Sequence, residues 1–174
     1  MRRLTLFLAS GFGVGYLPGP KGTYGTIVGV GLYFALRQLP SLTLYAVVTV
    51  LGVVAAIGVA GRAETILDKI DAQEIVIDEL ACFPIAMLGT ELIFGKFAPD
   101  WSFTDRPAFY WVNLAVVFAI FRIFDILKPP PVRNAQKFAG GWGIVADDLL
   151  AAIMTSSVSA LLLFGWFWIT SLRA

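Results

Sequence analysis

From Leu149 to Leu172 the chain runs for 24 residues without a formal charge, longer than the roughly 20 apolar residues an α-helix needs to cross a bilayer. Backbone amides cannot be left unpaired in hydrocarbon, so a run of this kind must be a helix that satisfies its own hydrogen bonds. The pattern recurs upstream. Residues 27–60 hold one charge, Arg37, and the break Gln38-Leu39-Pro40-Ser41 divides them into 27–37 and 42–60; 80–94 is apolar except for Glu91, and 107–121 is uncharged. Only 14% of residues are charged and the mean hydropathy is +0.80, against about 25% charged in a soluble domain. The expected fold is all-α: a polytopic membrane bundle of short helical hairpins closed by a final transmembrane span, in one membrane-embedded domain over 1–174. The competing reading, a soluble helical protein with a very apolar core, would have to bury five such stretches.

The charges gather between the apolar runs. One dense cluster spans 61–79 and a second 122–148, with Gly95 to Arg106 forming a Pro- and Asp-rich turn in which Trp101, and beyond it Tyr110 and Trp111, read as interfacial anchors. Met1-Arg2-Arg3 and Leu4 to Ser10 read as a retained opening helix, because the glycine-rich stretch that follows lacks an A-x-A-like cleavage site. Two hairpins and a final span return 1–26, 61–79 and 122–148 to one side. That side carries Arg2, Arg3, Lys21, Arg62, Lys69, Arg122, Lys128, Arg133 and Lys137; the other carries Arg37, Lys96, Arg106 and Arg173. The basic excess assigns the first side to the cytoplasm.

The residue inventory narrows the chemistry. The chain has no histidine and one cysteine, Cys82. Histidine-dependent triads, phosphohistidine intermediates and His-ligated zinc are excluded. Acid-base or metal chemistry must rest on carboxylates with Lys or Arg beside them. A net charge of +1 gives no reason to expect a nucleic-acid partner.

Four segments could carry that chemistry. Gly11 to Thr26 holds Gly22 and Gly25 among its glycines, directly before an apolar helix. It could cradle an anion on backbone N–H groups with Lys21, Thr23 and Thr26 as further donors, or simply supply small residues for a flexible loop and helix packing. Asp71 to Glu79 ends in adjacent carboxylates, Asp78 and Glu79, at a membrane boundary, where each is costly unless paired or hydrated. Adjacent helical residues point about 100° apart, so the two need not share one role. In Phe121 to Pro131, Arg122, Asp125 and Lys128 recur at spacings of three and Pro129 halts the helix; this is either an ion-pair ladder or a metal carboxylate flanked by phosphate-binding cations. Gly140 to Asp148 places Asp147 and Asp148 at the expected start of the last span, where capping explains one aspartate better than two. Oxygen ligands of this kind suit Mg²⁺ or Mn²⁺.

Taken together, PGPKGTYGT at 18–26, IVIDE at 75–79, FRIFDILKPPP at 121–131 and GGWGIVADD at 140–148 resemble the bacterial phosphatidylglycerophosphatase A family, in order and with fitting intervals. Departures at Ala81-Cys82, Val145-Ala146 and Ala152 fall on positions expected to affect packing more than the ionisable set. The resemblance implies Mg²⁺-dependent hydrolysis of phosphatidylglycerophosphate to phosphatidylglycerol and phosphate at the cytoplasmic face of a bacterial inner membrane. It implies acidic functional positions at Asp71, Asp78, Glu79, Asp125, Asp147 and Asp148, with Arg122 and Lys128 as basic companions. The resulting expectation is in-line attack by metal-activated water. Asp125 and one member of each acidic pair would hold Mg²⁺, and Lys21, Gly22, Thr23, Gly25, Thr26, Arg122 and Lys128 would face phosphate. Phosphatase or head-group transferase activity on another lipid phosphate, and a cation channel or transporter, are the alternatives. Oligomeric state is left open.

Overall fold

The computed structural model describes residues 1–70, 72–98, 106–135 and 138–172, and only the backbone of Pro131. Seven α-helices and one 3₁₀ turn make up its regular structure: α1 (Arg2–Ala9), the 3₁₀ turn Val14–Tyr16, α2 (Lys21–Leu36), α3 (Leu42–Leu67), α4 (Ile77–Phe97), α5 (Pro107–Leu127), α6 (Pro130–Ala135) and α7 (Gly141–Ser171). The described residues contain no strand.

Local chemistry sets the helix ends. Ser41 caps α3, its hydroxyl accepting the Leu44 N–H at 3.1 Å. Pro107 opens α5 at a position where its missing N–H costs nothing. Lys128 closes α5 in the left-handed region, φ 45°, with Pro129 behind it to oppose continuation of the helix. The helices nonetheless run further than the apolar stretches do. The second begins at Lys21, not 27, and the last at Gly141, eight residues before the apolar run. A charge ends a hydrophobic pattern without ending a helix, provided the charged group faces inward to partners or water. The stretch from Lys21 to Thr26, expected to precede its helix, is therefore the first turns of α2. Asp147 and Asp148 are interior residues of α7 and not caps.

α4 is the central helix. In its most apolar window 56% of residues are buried, against 22% for α3 and 28% for each of α5 and α7. Phe83, Cys82 and Met87 of α4 are fully enclosed together with Val117 and Phe121 of α5 and Val145 of α7. The outer helices leave Val47, Val50, Leu51, Val54, Val112, Val116, Leu161 and Leu162 exposed, an apolar girdle that water would penalise and lipid would not. Four helices of 21 to 31 residues are long and apolar enough to cross a membrane. The soluble alternative fails here: the apolar stretches are not buried by one another, and the chain is a membrane protein. α2, with 16 residues, extends about 24 Å, short of the roughly 30 Å hydrocarbon core.

Contacts fix the directions. Along α4, Cys82 meets the Val145 carbonyl and the Gly89 N–H donates to Ser156 Oγ at 2.8 Å, so α4 and α7 run parallel. Gly22 faces Glu79, and Gly29 faces Phe83, so α2 runs parallel to both. Asn113 reaches Thr90 and Arg122 reaches Glu79, so α5 runs antiparallel to α4. α2 packs chiefly on α4, α3 on both α4 and α7, and α2 and α3 meet one another little. The ends of the bundle therefore segregate as the charge pattern implies, with α2, α4 and α7 starting where α3 and α5 finish.

A second polar layer lies at the opposite end. Arg37 pairs with Glu91 at 3.1 Å, Glu91 accepts a hydrogen bond from the Tyr33 hydroxyl at 2.6 Å, and the Arg37 guanidinium lies 5.1 Å from the centre of the Tyr110 ring. Tyr110, expected as an interfacial anchor, is instead buried against Arg37 and Phe94, because it completes this layer. Trp111 is exposed and packs on Phe34; Trp101 lies outside the described residues.

Candidate active site

Where α2, α4 and α7 begin and α5 ends, the bundle opens into a polar cavity of about 340 Å³. Lys21, Gly22, Asp78, Glu79, Arg122, Asp125, Lys128, Asp147 and Asp148 line it, nine of the thirteen residues named from sequence. Asp71 lies outside the described residues. Thr23, Gly25 and Thr26 do not line the cavity.

The acidic centre comes from two parallel helices. One carboxylate oxygen from each of Asp78, Glu79 and Asp148 lies within 4.8 Å of the others. Asp148 is 3% exposed, and Asp78 Oδ1 and Glu79 Oε2 are buried without a hydrogen-bond partner. Two unit charges at 4.8 Å repel by about 3 kcal/mol at an effective dielectric of about 20, and a buried unpaired acceptor adds roughly 1–3 kcal/mol. Such a group needs a cation or a shared proton. Its all-oxygen donor set, with two oxygens left without a hydrogen-bond partner, could hold a hard divalent metal. Asp125 and Asp147, expected to share the ligand role, occupy the same cavity but are engaged by cations. Arg122 Nη1 lies 2.7 Å from Asp125 Oδ2, and Lys128 Nζ 2.7 Å from Asp147 Oδ2.

Arg122 is held by three groups at once. Besides Asp125, its Nη1 faces Glu79 Oε1 at 3.9 Å and donates to Thr26 Oγ1 at 3.3 Å. The Thr26 hydroxyl in turn donates to the Gly22 carbonyl at 2.9 Å. Thr26 is fully buried, so it positions the guanidinium and does not meet a ligand. Lys128 projects from the left-handed end of α5. Burial lowers its pKa, but the hydrogen bond and charge of Asp147, with Asp125 and Asp148 nearby, outweigh that and leave it raised. It is a fixed cation throughout the neutral range.

The glycine segment is a packing device. A Cβ on Gly22 would meet Glu79 Oε1 and approach Arg122; one on Gly25 would meet Val76. Further back, a Cβ on Gly15 would strike the Glu74 carbonyl, so the 3₁₀ turn seats directly on the strap between α3 and α4, described at 68–70 and 72–76. Of the proposed backbone donors, the Tyr24 N–H is already bonded to the Pro20 carbonyl, which leaves only the first turn of α2, at Lys21, Gly22 and Thr23, free of intrahelical partners. Helix formation has used the rest.

Sequence reasoning passed over Glu74. It joins Lys21 at 3.5 Å and Lys69 at 3.6 Å, tying the strap to α2. A hydrogen bond at its own backbone amide lowers its pKa; burial opposes this, and Lys21 and Lys69 add to the lowering. Its place in DAQE, four residues before Asp78, was the available signal. The Arg37–Glu91 pair was equally readable in principle, since each is the lone charge of an apolar run and such charges pair. The departures at Ala81-Cys82, Val145-Ala146 and Ala152 are all buried packing positions.

The family described as phosphatidylglycerophosphatase A matches residues 7–163, most of the chain. The chain belongs to this family. It is thereby an enzyme, a phosphoric monoester hydrolase, which decides against a cation channel as the reading of the carboxylates. Curated phosphatidylglycerophosphatases A from Haemophilus influenzae and Escherichia coli are 31% and 30% identical, over 84% and 92% of this chain and 80% and 83% of theirs. A Bacteroides thetaiotaomicron protein provisionally named a phosphatidylinositol-3-phosphatase is 34% identical over 86% of this chain and 87% of its own. No solved structure matches.

Proposed function

We propose that the protein hydrolyses phosphatidylglycerophosphate to phosphatidylglycerol and inorganic phosphate, using Mg²⁺ held by Asp78, Glu79 and Asp148, at the cytoplasmic face of a bacterial inner membrane. The observation that carries this is the clustering of those three carboxylates, with buried unpaired oxygens, beside Arg122, Lys128 and Lys21 in one cavity. A phosphomonoester dianion needs cations on its oxygens, and the cavity offers three together with a site for a fourth.

In net terms, water oxygen adds to phosphorus and the bond between phosphorus and the glycerol oxygen breaks. One water proton ends on the released alkoxide, the other on phosphate. When bound, Mg²⁺ supplies charge stabilisation of the phosphate oxygens and a more acidic water. The chain's own part is positioning. Arg122, fixed by Asp125, Glu79 and Thr26, presents a planar donor set suited to phosphate. Lys128 stands as a point charge that Asp147 keeps protonated and oriented. Lys21 and Gly22, in the first turn of α2, border the cavity where an anion would enter. A cytoplasmic orientation is supported by the basic residues gathered at this end, Arg2, Arg3, Lys21, Arg62, Lys69, Arg122, Lys128 and Arg133 among them.

The Bacteroides relative favours a second reading, in which the phosphomonoester belongs to a phosphoinositide. One assay separates the two. Purified protein in mixed micelles is given phosphatidylglycerophosphate or phosphatidylinositol 3-phosphate, with and without Mg²⁺. Mg²⁺-dependent phosphate release from the first, in preference to the second, is expected; the reverse preference would replace the substrate, and release unaffected by chelator would remove the metal.

A further inference from the structure

A second cavity of about 300 Å³ adjoins the polar one and shares Gly143 and Ile144 of α7's first turns as a common wall. Its other lining residues are Glu64 at the end of α3, Ile70 of the strap, and Phe138, Ala139 and Gly140 before α7. Apart from Glu64, every side chain here is apolar. Ile70 is 88% exposed and Phe138 62%, and Trp142, on the same turn of α7, is also exposed. Large apolar side chains left open at the polar end of a membrane bundle are unfavourable in water and favourable at the headgroup boundary, where tryptophan concentrates.

The two cavities together match an amphiphile. A ligand with a phosphomonoester at one end and acyl esters at the other would place its charge among Arg122, Lys128 and the carboxylates. The wall that the two cavities share, at Gly143 and Ile144, offers its apolar part a route from one to the other. We infer that the Ile70–Phe138–Ile144 cavity receives the glycerol-proximal part of the acyl chains of a diacyl phosphomonoester, and so selects lipid over water-soluble phosphate esters. The inference rests on the proposed phosphatase reading for the occupant of the polar cavity. A volume near the lower end of the roughly 300–1,000 Å³ usual for ligand pockets holds only the ester region, so the chain ends remain in the leaflet. The enzyme then avoids exposing most of the acyl methylenes to water, a cost that grows with each one transferred.

Two measurements test this. In the first, kcat/KM is taken for dioleoyl phosphatidylglycerophosphate in mixed micelles and for glycerol 3-phosphate in solution. Phe138→Asp and Ile70→Asp each lower the ratio of the two at least tenfold, and Phe138→Leu restores it. Both positions are exposed, so a charge there does not threaten the fold. An unchanged ratio would overturn the inference. The second is independent of turnover: the full-length protein in lipid nanodiscs is irradiated with a phosphatidic acid carrying a diazirine on the acyl carbons nearest the glycerol. Adducts at 138–144 are expected. Adducts confined to the lipid-facing sides of α3 and α5 would overturn the inference, whether or not phosphatidylglycerophosphate proves to be the substrate. Conversely, adducts at 138–144 with no phosphate release from phosphatidylglycerophosphate would overturn the proposed substrate and leave the lipid site standing.

Discussion

Asp78, Glu79 and Asp148 crowd their oxygens within 4.8 Å, whereas Asp125 and Asp147 are each neutralised by a cation. The two groups should behave differently when amidated. Asp148→Asn and Asp78→Asn are expected to lower kcat by about 10²-fold or more, the scale of removing a group aimed at the reacting centre, and to weaken Mg²⁺ binding measured by titration calorimetry. Asp125→Asn is expected to lower kcat less and leave Mg²⁺ affinity within about threefold, since what it loses is the anchor of Arg122. Equal loss of Mg²⁺ affinity in both classes would return Asp125 to the metal. Gly22→Ala tests the site by steric means. Alanine is the better helix former by about 1 kcal/mol, so the helix gains while the new Cβ displaces Glu79 and Arg122; the expected signature is reduced kcat with unchanged or higher thermal stability. Glu74 supplies a pH dependence. Its carboxyl is held below the usual range, so its pairing with Lys21 and Lys69 stabilises the strap fully above the unfolded value of about 4.3 and fades as pH falls through the lowered one. Amide protection at 72–76 should therefore persist at pH 5 and drop in stronger acid, with no such step in Glu74→Gln. The carboxylates themselves were legible in sequence, because charge at the edge of an apolar run is rare. Which carboxylates crowd one another and which meet a cation was not, because Asp147 meets Lys128 across 19 positions and Arg122 meets Glu79 across 43 as well as Asp125 on its own helix, separations that only packing determines.

Helices hold this arrangement through close crossings at small residues. A Cβ on Gly89 of α4 would strike the Ser156 carbonyl of α7, and one on Gly141 would strike the Ile57 carbonyl of α3. Without a hydrophobic drive between helices in lipid, such backbone approaches and the Gly89-to-Ser156 hydrogen bond are what fasten α4 to α7. Asp78 and Asp148 ride on those same two helices. Gly89→Val is thus expected to cost about 1–3 kcal/mol by overpacking, and to depress activity from a position about eleven residues along α4 from Asp78, roughly 16 Å at 1.5 Å per residue. Gly31→Ala, where a Cβ meets nothing within 4 Å, serves as the tolerated control in the same thermal-denaturation series. Element identity was readable from the apolar runs; element length was not. Lys21 to Thr26 looked like a loop because glycine and proline usually punctuate, yet Gly22, Gly25 and Gly29 fall on one helical face and admit α4. The first turns of α7 were missed for a related reason. GGWG reads as a turn, but Gly141 is where α7 crosses α3.

Across the whole molecule the polar groups form two layers separated by the apolar body of α4. The candidate active-site layer gathers at the start of that helix, and Arg37, Glu91, Tyr33 and Tyr110 meet near its other end. Glu79 and Glu91 are twelve residues apart on α4, about 18 Å, where direct Coulomb influence at an effective dielectric of about 20 is on the order of 1 kcal/mol or less. The far layer therefore acts on the chemistry chiefly through the fold. Its role is to join α2, α4 and α5 where α2 is too short to finish the crossing by itself, since Arg37 follows its last turn and Glu91 and Tyr110 come from the longer helices. Removing one partner leaves a desolvated charge alone. Glu91→Leu is expected to destabilise by about 3 kcal/mol, the lower part of the range for breaking a buried pair, because the 28% exposure of Arg37 lets water recover part of the loss. Glu91→Gln, which keeps an acceptor for Tyr33, should cost less. The distinguishing measurement is kcat on the folded fraction, with detergent-purified variants assayed well below their own Tm. Stability should fall in the order wild type, Gln, Leu while kcat per folded molecule stays within about twofold. A kcat that tracked stability at low temperature would mean that the two layers are coupled through α4, and that the helix transmits strain between the faces of the membrane instead of insulating them.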